Sequence, residues 1–471
     1  MRSTVERELK LGAGAEFAGI PFEGRELPEE VLTSTYFDTD DLRLAEGRIT
    51  LRRRTAESRE PAWQLKLPTG GDRLELEWPA PTEAVPAEVR DLLKARTRGA
   101  PLSAVATLRT RRSGVVVRDA GGDVAEVVRD SVEVLDGGRP VRVFDEIEAE
   151  LVSGDPKALK QLERRLRDAG ACDGDGRPKL FQALDLRPPK PASGRGSARA
   201  RLAAALQEQY REILTHDPGT RLGDDPEALH DHRVAIRRLR AMLRAGRPML
   251  DRTWADDLRR SLRDAGHALA QVRDLDVLLE QLRADVDELD GPEHAGGARI
   301  VQILEERRER AQADLSAALR EPAYVSLLNR LEHAVKEPRF SGSGSLSKAV
   351  SREHRRVRRK ARRLPRDPSD AQLHDVRKAV KRARYAAELA AAVGVKGTGK
   401  YLKRAKAVQD VLGDHQDAVV AAAVLREVGS GPAVAALVAR QDARRADARA
   451  AFPKAWKRFD KRGRRLRRTM R

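Results

Sequence analysis

Glu6, Glu8 and Lys10 stand two residues apart near the start of the chain, and Glu146, Glu148 and Glu150 repeat that spacing further on. Side chains two apart on a strand share a face, so each trio projects from one side of its strand, with Leu9 and Leu11 on the other side of the first. Carboxylate oxygens are hard ligands that suit Mg2+ or Mn2+ better than zinc. Between the trios, Arg52 and Arg54 share a face, as do Gln64 and Lys66, Arg73, Glu75 and Glu77, and Arg109 and Arg111. Arginine presents a fork that matches phosphate oxygens. Cations that grip a phosphate chain, opposite carboxylates that hold a metal ion to polarise it and position water, are the groups phosphoryl transfer needs.

These residues require strands to position them. Up to about Leu186 the chain runs in short alternating segments broken by Gly, Pro and Asp, such as VERELKL, AWQLKLP, RLELEW and FDEIEAELV, which predict β-strands. Two helical patterns interrupt them, near Glu88–Arg96 and Pro156–Ala169, the second with Asp155 at its N-cap and Gly170 at its end. Six strands with one charged face each could form a flat sheet wetted on one side, or a closed barrel with a charged interior. Unpaired buried charge is strongly unfavourable, so a barrel of this kind must hold a ligand and metal ions.

Glu6-x-Glu8-x-Lys10 beside the N-terminus resembles the signature of the CYTH family, the triphosphate tunnel metalloenzymes. The resemblance spans residues 3–186 and includes Arg52-x-Arg54, Lys66, the Glu75/Glu77 strand, Arg111 and Glu146-x-Glu148. It implies a closed antiparallel tunnel of about eight strands with flanking helices that hydrolyses tripolyphosphate, thiamine triphosphate or nucleoside triphosphates; a few members cyclise ATP. By that resemblance Glu6, Glu8, Glu146 and Glu148 hold metal, with Glu150 beside them. Arg52, Arg54, Lys66, Arg111 and Lys179 hold the triphosphate, Lys10 lies near the scissile phosphate, and Asp130 completes the acidic set. Where the family often has Ser-Lys on its last strand, Pro178 precedes Lys179 here.

After a Pro/Gly/Ser-rich stretch at 188–197 the texture changes to long Ala/Leu/Arg helices. In one of them His230, Arg233, Arg237, Arg240 and Arg244 fall on a single stripe, with Leu229, Ile236, Leu239 and Leu243 on the opposite side. His374, Arg377, Lys381 and Arg384 form the same stripe 144 residues later, with Tyr385 alongside. A second match, Leu269…Arg273-Asp274 against Leu412…Asp417, has nearly the same offset. The pattern predicts a duplicated helical bundle with halves at 198–337 and 346–460. No acidic residue interleaves either stripe at i±4, so a polyanion is the expected partner. His230, His232, His374 and His415 lack thiols or a compact carboxylate cluster beside them, so they read as hydrogen-bond donors to phosphate rather than metal ligands. Asp231 and Asp375, and Asp274 and Asp417, read as residues that orient the cations or cap helices rather than bind metal. This part resembles the CHAD family of conserved-histidine α-helical domains over roughly 198–460, which implies two four-helix bundles around a basic pore and binding of polyphosphate.

The charge distribution agrees with this division. Residues 1–190 carry a net −3 and the remainder +22, within a total of +19. Cys172 is the single cysteine, which suits a reducing compartment and excludes an internal disulfide framework. No run approaches the roughly 20 apolar residues needed to span a bilayer, and the start of the chain has no apolar signal core. The expected location is the cytoplasm, in association with polyphosphate granules, with no membrane partner. Aromatic residues make up only 4% of the chain, and apart from Tyr385 the stripes hold almost none. A chain of bare phosphates therefore fits better than bases, with nonspecific nucleic-acid binding expected at low salt. The sequence thus predicts an α+β chain: a tunnel domain at 1–187 that hydrolyses triphosphate, a helical domain at 198–460 that captures polyphosphate, and a fraying basic tail at 461–471. A non-catalytic polyphosphate scaffold is the alternative.

Overall fold

In a computed structural model, residues 1–69, 72–119, 121–153, 155, 157–187, 196–342 and 344–469 are described. The chain forms two compact units, Met1–Lys190 and Pro191–Arg471. The predicted linker lies, from 188 to 195, outside the described residues, as do Pro156 of the second predicted helix and the last two residues of the tail.

The first unit contains strands β1 (Arg2–Glu6), β2 (Glu8–Ala13), β3 (Gly24–Asp38), β4 (Thr50–Ala56), β5 (Arg59–Thr69), β6 (Asp72–Pro79), β7 (Ser103–Asp119), β8 (Gly122–Asp136), β9 (Arg139–Leu151) and β10 (Ala171–Cys172). Short helices α1 (Arg43–Glu46), α2 (Ala87–Leu92), α3 (Lys94–Thr97), α4 (Lys157–Asp168) and α5 (Lys179–Ala183) lie between and after them. The strands form one antiparallel sheet in the order β1-β6-β5-β4-β3-β7-β8-β9-β2-β10. The expected closed eight-stranded tunnel is corrected on two points. The N-terminal strand breaks at Arg7 and the two-residue β10 is added at one end, which gives ten strands. The hydrogen-bonded order also has two ends and is not closed. At Arg7 the chain passes from β1, paired with β6, to β2, paired with β9.

The alternation read from the sequence sets two faces. Leu11, Ala125, Val127, Ile147 and Ala149 pack beneath Leu162 and Leu166 of the amphipathic α4. Glu8, Lys10, Glu148 and Glu150 project from the opposite face of the same strands into a cavity. A second apolar cluster, in which Leu180 and Phe181 of α5 meet Tyr36, Leu108, Val132 and Val134, borders that cavity.

The second unit is helical: α6 (Ala198–Leu222), α7 (Pro226–Ala245), α8 (Arg252–Asp287), α9 (Gly291–Arg320), α10 (Pro322–Lys336), α11 (Leu346–Ala361), α12 (Asp370–Ala392), α13 (Gly399–Val428) and α14 (Pro432–Thr469). Among the described residues no helix is long and apolar enough to cross a membrane. One cluster of Leu278, Leu282, Ile300, Leu304, Leu425 and Leu437 joins α8 and α9 to α13 and α14, so the two repeats share a core. The expected fraying tail is corrected: α14 continues to Thr469, because Phe459 and Leu466 are buried along it.

Among the described residues, His232, His354 and His415 are buried inside this unit, and the first two are wholly enclosed. His232 is fully buried, with Thr220 Oγ1 at 3.1 Å and the Tyr324 hydroxyl at 3.4 Å. His354 is fully buried against the rings of Tyr401 and Phe459, and a Cβ on Gly463 of α14 would collide with its ring. Burial pushes each down to about 4, so both are neutral in the fold. Between pH 6.5 and 4 the unfolded chain binds protons that the fold refuses, and stability falls as pH falls, by up to about 3 kcal/mol per histidine. Thermal unfolding is expected to show a steep loss of Tm from pH 7 to 5, made shallower by His232→Gln. A Tm that is level across that range contradicts this.

Candidate phosphate and metal site

The concave face of the sheet encloses a cavity of about 310 Å³. Its lining includes nine cations and seven carboxylates, drawn from β1, β2, β4, β5, β6, β7, β8, β9 and α5. Of the residues expected there, Glu6, Glu8, Lys10, Arg52, Arg54, Lys66, Arg73, Glu75, Glu77, Glu148, Glu150 and Lys179 all line it. Asp130 and Glu146 lie buried directly behind, both in contact with Lys179.

Two groups of charges are distinct. In the first, Asp130, Glu146 and Glu148 offer oxygens that lie within 4.8 Å of one another. Lys179 Nζ reaches them at 2.9, 2.5 and 2.8 Å. Lys10 Nζ pairs with Glu148, and approaches Glu8 at 3.4 Å and Glu146 at 3.6 Å. Arg112 clasps Asp130 through two hydrogen bonds of 2.8 and 2.7 Å and donates to Glu148 at 2.8 Å. Although burial opposes it, Lys10 and Lys179 hold the Glu148 carboxyl well below the usual range, and Arg112 and Lys179 hold Asp130 down. Burial lifts Glu146. The family's Ser-Lys position is filled differently: Pro178 caps α5, and Lys179 is that helix's first residue rather than part of a last strand. Gln182, one turn on, donates to Glu146 at 2.9 Å.

In the second group, Lys66 sits between Glu6 at 2.5 Å and Glu75 at 3.0 Å. Burial and the neighbouring Glu75 push Glu6 up, whereas Glu6 and Lys66 draw Glu75 down against burial. Arg52 donates to Gln64 at 2.8 Å and to the Tyr36 hydroxyl at 3.2 Å, and Gln64 donates to Glu77 at 2.8 Å. Arg54 has no carboxylate within 4 Å among the described residues, and burial, Arg52 and Arg112 push it down to about 9. Its buried Nε has no hydrogen-bond partner. An anion would supply one.

Two expected residues are elsewhere. Arg109 pairs with Glu133 and Arg111 with Glu29 on the outer face of the sheet, where the Arg111 side chain is 67% exposed. Arg112, 20% exposed, takes the inner position. The expected phase of β7 is corrected because Leu108, assigned by alternation to the outer face, packs inward against Val132 and Phe181. Sequence reasoning also missed Arg2, Tyr36, Arg59 and Glu126. Extending the alternation back from Glu6 reaches Arg2, and stepping back from Asp130 by two residues at a time reaches Glu126.

In the helical unit the two stripes meet, for α7 packs against α12. Lys381 has Arg377, Arg237 and Arg233 around it, and Asp417 as the carboxylate facing it; burial and those arginines push it down to about 8. The expectation of no acid at i±4 is corrected at one position, where Arg384 pairs with Glu388 at 2.6 Å; Arg233 pairs with Asp274 at 3.0 Å and Arg377 faces Asp417 at 3.7 Å, the two aspartates expected to orient the cations. The last two are the same pair in each repeat. Arg237, Arg240, Arg244 and Lys381 have no carboxylate within 4 Å among the described residues. His230 and His374 are half-buried on the stripes, and burial and nearby cations hold both below the ordinary range. The other two histidines are not donors to a surface ligand: His232 is in the core, and His415 is buried 3.1 Å from Asp370.

The chain belongs to the CYTH and CHAD families. A CYTH domain matches residues 5–177 and a CHAD domain residues 204–426. An uncharacterized protein of Mycobacterium tuberculosis is 33% identical over 450 residues, which covers 88% of this chain and 85% of that protein. Among solved structures, the CHAD domain from the plant Ricinus communis is 25% identical over 57% of this chain and 96% of its own, with a TM-score of 0.46. The PH1819 protein from Pyrococcus horikoshii is 22% identical over 39% of this chain and 99% of its own, with a TM-score of 0.28.

The two neighbouring arginines of β7 give a direct test. Arg112→Ala leaves the fully buried Asp130 with only Lys179, and is expected to cost roughly 3–5 kcal/mol in urea unfolding. Arg111→Ala, on the exposed face, should cost less than about 1 kcal/mol. Equal effects would place the inner face of β7 wrongly.

Proposed function

We propose that the N-terminal unit hydrolyses inorganic triphosphate or short polyphosphate with a divalent metal ion, and that the helical unit binds longer polyphosphate. The observation that carries this reading is a carboxylate triad at the wall of a cavity whose lining also gathers cations, among them a buried Arg54 with no carboxylate within 4 Å among the described residues. Asp130, Glu146 and Glu148 supply the hard oxygen donors that Mg2+ or Mn2+ takes, with Glu8 and Glu150 beside them in the lining and Glu6 two residues before Glu8, its buried Oε2 without a hydrogen-bond partner. A metal ion held by them would polarise a phosphoryl oxygen and lower the pKa of bound water. Arg52, Arg54, Lys66, Arg73 and Arg112 bind and orient the phosphates, and Lys10 is placed to neutralise charge developing beside the carboxylates. An anion site that worked by binding alone would gain little from acidic walls.

One observation favours a second reading. The triad is already neutralised by Lys10, Lys179 and Arg112, as a purely structural network would be. In that case the chain is a polyphosphate-binding scaffold or sensor in the cytoplasm at polyphosphate granules. Phosphate release from tripolyphosphate separates the two. We expect release with Mg2+ or Mn2+, none with chelator, and at least about a hundredfold loss in Glu148→Gln. No release under any condition, with polyphosphate still retained, leaves only the scaffold.

For the helical unit the stripes Arg233–Arg244 and Arg377–Arg384 are the proposed polyphosphate contacts, with His230 and His374 donating hydrogen bonds. Nonspecific nucleic acid would compete at low salt. Because Lys381 titrates near 8 in the free protein and a polyanion would hold its proton, polyphosphate affinity should fall as pH rises from 7.5 to 9.5. Calorimetry should show proton uptake on binding in that range, and none in Lys381→Arg. Affinity independent of pH there contradicts the placement of Lys381 on the anion.

A further inference from the structure

A cavity of about 490 Å³ lies between α7, α11 and α12, at the Arg244 end of the first stripe. One part of its wall is cationic. Arg244, Arg252, Arg352 and Arg382 line it, and none of the four has a carboxylate within 4 Å among the described residues. Glu353, 3.5 Å from Arg356, is the one acidic group in the lining. Arg247 and Arg356 also line it, each paired with a carboxylate, and Ala245, Pro248, Ala349, Ala386 and the ring of Tyr385 add apolar surface that the stripes lack. Arg384 lies 5.8 Å from the Tyr385 ring centroid, a distance at which a guanidinium steadies an aromatic ring.

A chain of bare phosphates has no use for an apolar wall that carries an aromatic ring. A ligand with a flat aromatic group at one end and phosphates at the other uses both parts. Bases stack on aromatic side chains irrespective of sequence, and arginine forks take phosphate oxygens. The volume lies within the range of small-molecule sites. We propose that this cavity binds a nucleotide, a nucleobase lying against Tyr385 and the alanine wall with its phosphates on Arg244, Arg352 and Arg382. The helical unit then has a nucleotide site adjoining its polyphosphate stripe. The proposal does not depend on hydrolysis in the N-terminal unit, and Arg244 is the residue the two anion sites share.

Photolabelling of the full chain with an azido-adenosine diphosphate, in the presence of chelator, tests it. The label is expected in α11 or α12 peptides that line the cavity. ADP should displace the probe at concentrations where pyrophosphate does not. Tyr385→Ala should weaken probe binding roughly tenfold and Tyr385→Phe should preserve it, as stacking requires. If Tyr385→Ala loses helical content by circular dichroism, Arg352→Gln on α11 and Arg382→Gln on α12 serve instead, each expected to weaken the probe. Displacement by pyrophosphate as effective as by ADP would mean that only phosphate is recognised, and would overturn the nucleotide site while leaving the stripe reading intact. Label confined to the N-terminal unit, or full binding by Tyr385→Ala, would overturn it as well.

Discussion

Burying carboxylates away from water costs several kcal/mol for each ion unless a cation lies against it, and the N-terminal unit is arranged around meeting that cost for Asp130, Glu146 and Glu148. Asp130 is wholly buried and is accommodated because Arg112 meets it with a two-pronged hydrogen bond from the next strand and Lys179 approaches from α5. The register follows from this: Arg112 opposite Asp130 on β7 and β8, Asp130 opposite Glu146 on β8 and β9, Lys10 opposite Glu148 on β2 and β9. A shift of one residue in any of these strands would turn the charged row under α4 and the apolar row into the cavity.

The same arrangement defines what a ligand must do. Lys10, Lys179 and Arg112 are the internal counterions of the triad, so a metal ion that entered would displace them toward an anion. A metal ion and a phosphate chain would therefore be coupled in their effect on this network: each would supply the partner that the other takes away. Arg54, buried among like charges, adds local positive potential that only an anion relieves. In the helical unit the balance is different. Arg233 and Arg377 are met by Asp274 and Asp417, the same pair in each repeat, and Lys381 and Arg237 have no carboxylate within 4 Å among the described residues.

Much of this is legible in the sequence where one period governs one environment. On β2 and β9 the outer face is uniformly apolar beneath α4, so alternation alone assigns Glu8, Lys10, Glu148 and Glu150 to the cavity. On β7 the inner face changes character along the strand, from Leu108 against Phe181 to Arg112 against Asp130, and both faces carry arginine. Period two then gives the spacing but not the phase. Lys179 is on a helix rather than a strand, for it opens α5 directly after Pro178, the N-cap residue. The helical stripes are readable because 3.6-residue spacing is local. Their acidic partners, Asp274 and Asp417, lie on α8 and α13, and it is the second repeat match, not spacing within α7 or α12, that points to them. The core histidines His232 and His415 share the stripes' residue type but face the bundle interior, which only the packing distinguishes.

The most direct test is anomalous scattering from Mn2+ in crystals of the full chain grown with a non-hydrolysable triphosphate analogue. The account predicts a Mn2+ peak bound by oxygens of the Asp130, Glu146 and Glu148 group, with Lys10 or Lys179 displaced toward the analogue. A cavity that holds the analogue on its arginines with no metal peak, and with Lys10 and Lys179 still paired to the three carboxylates, would contradict it.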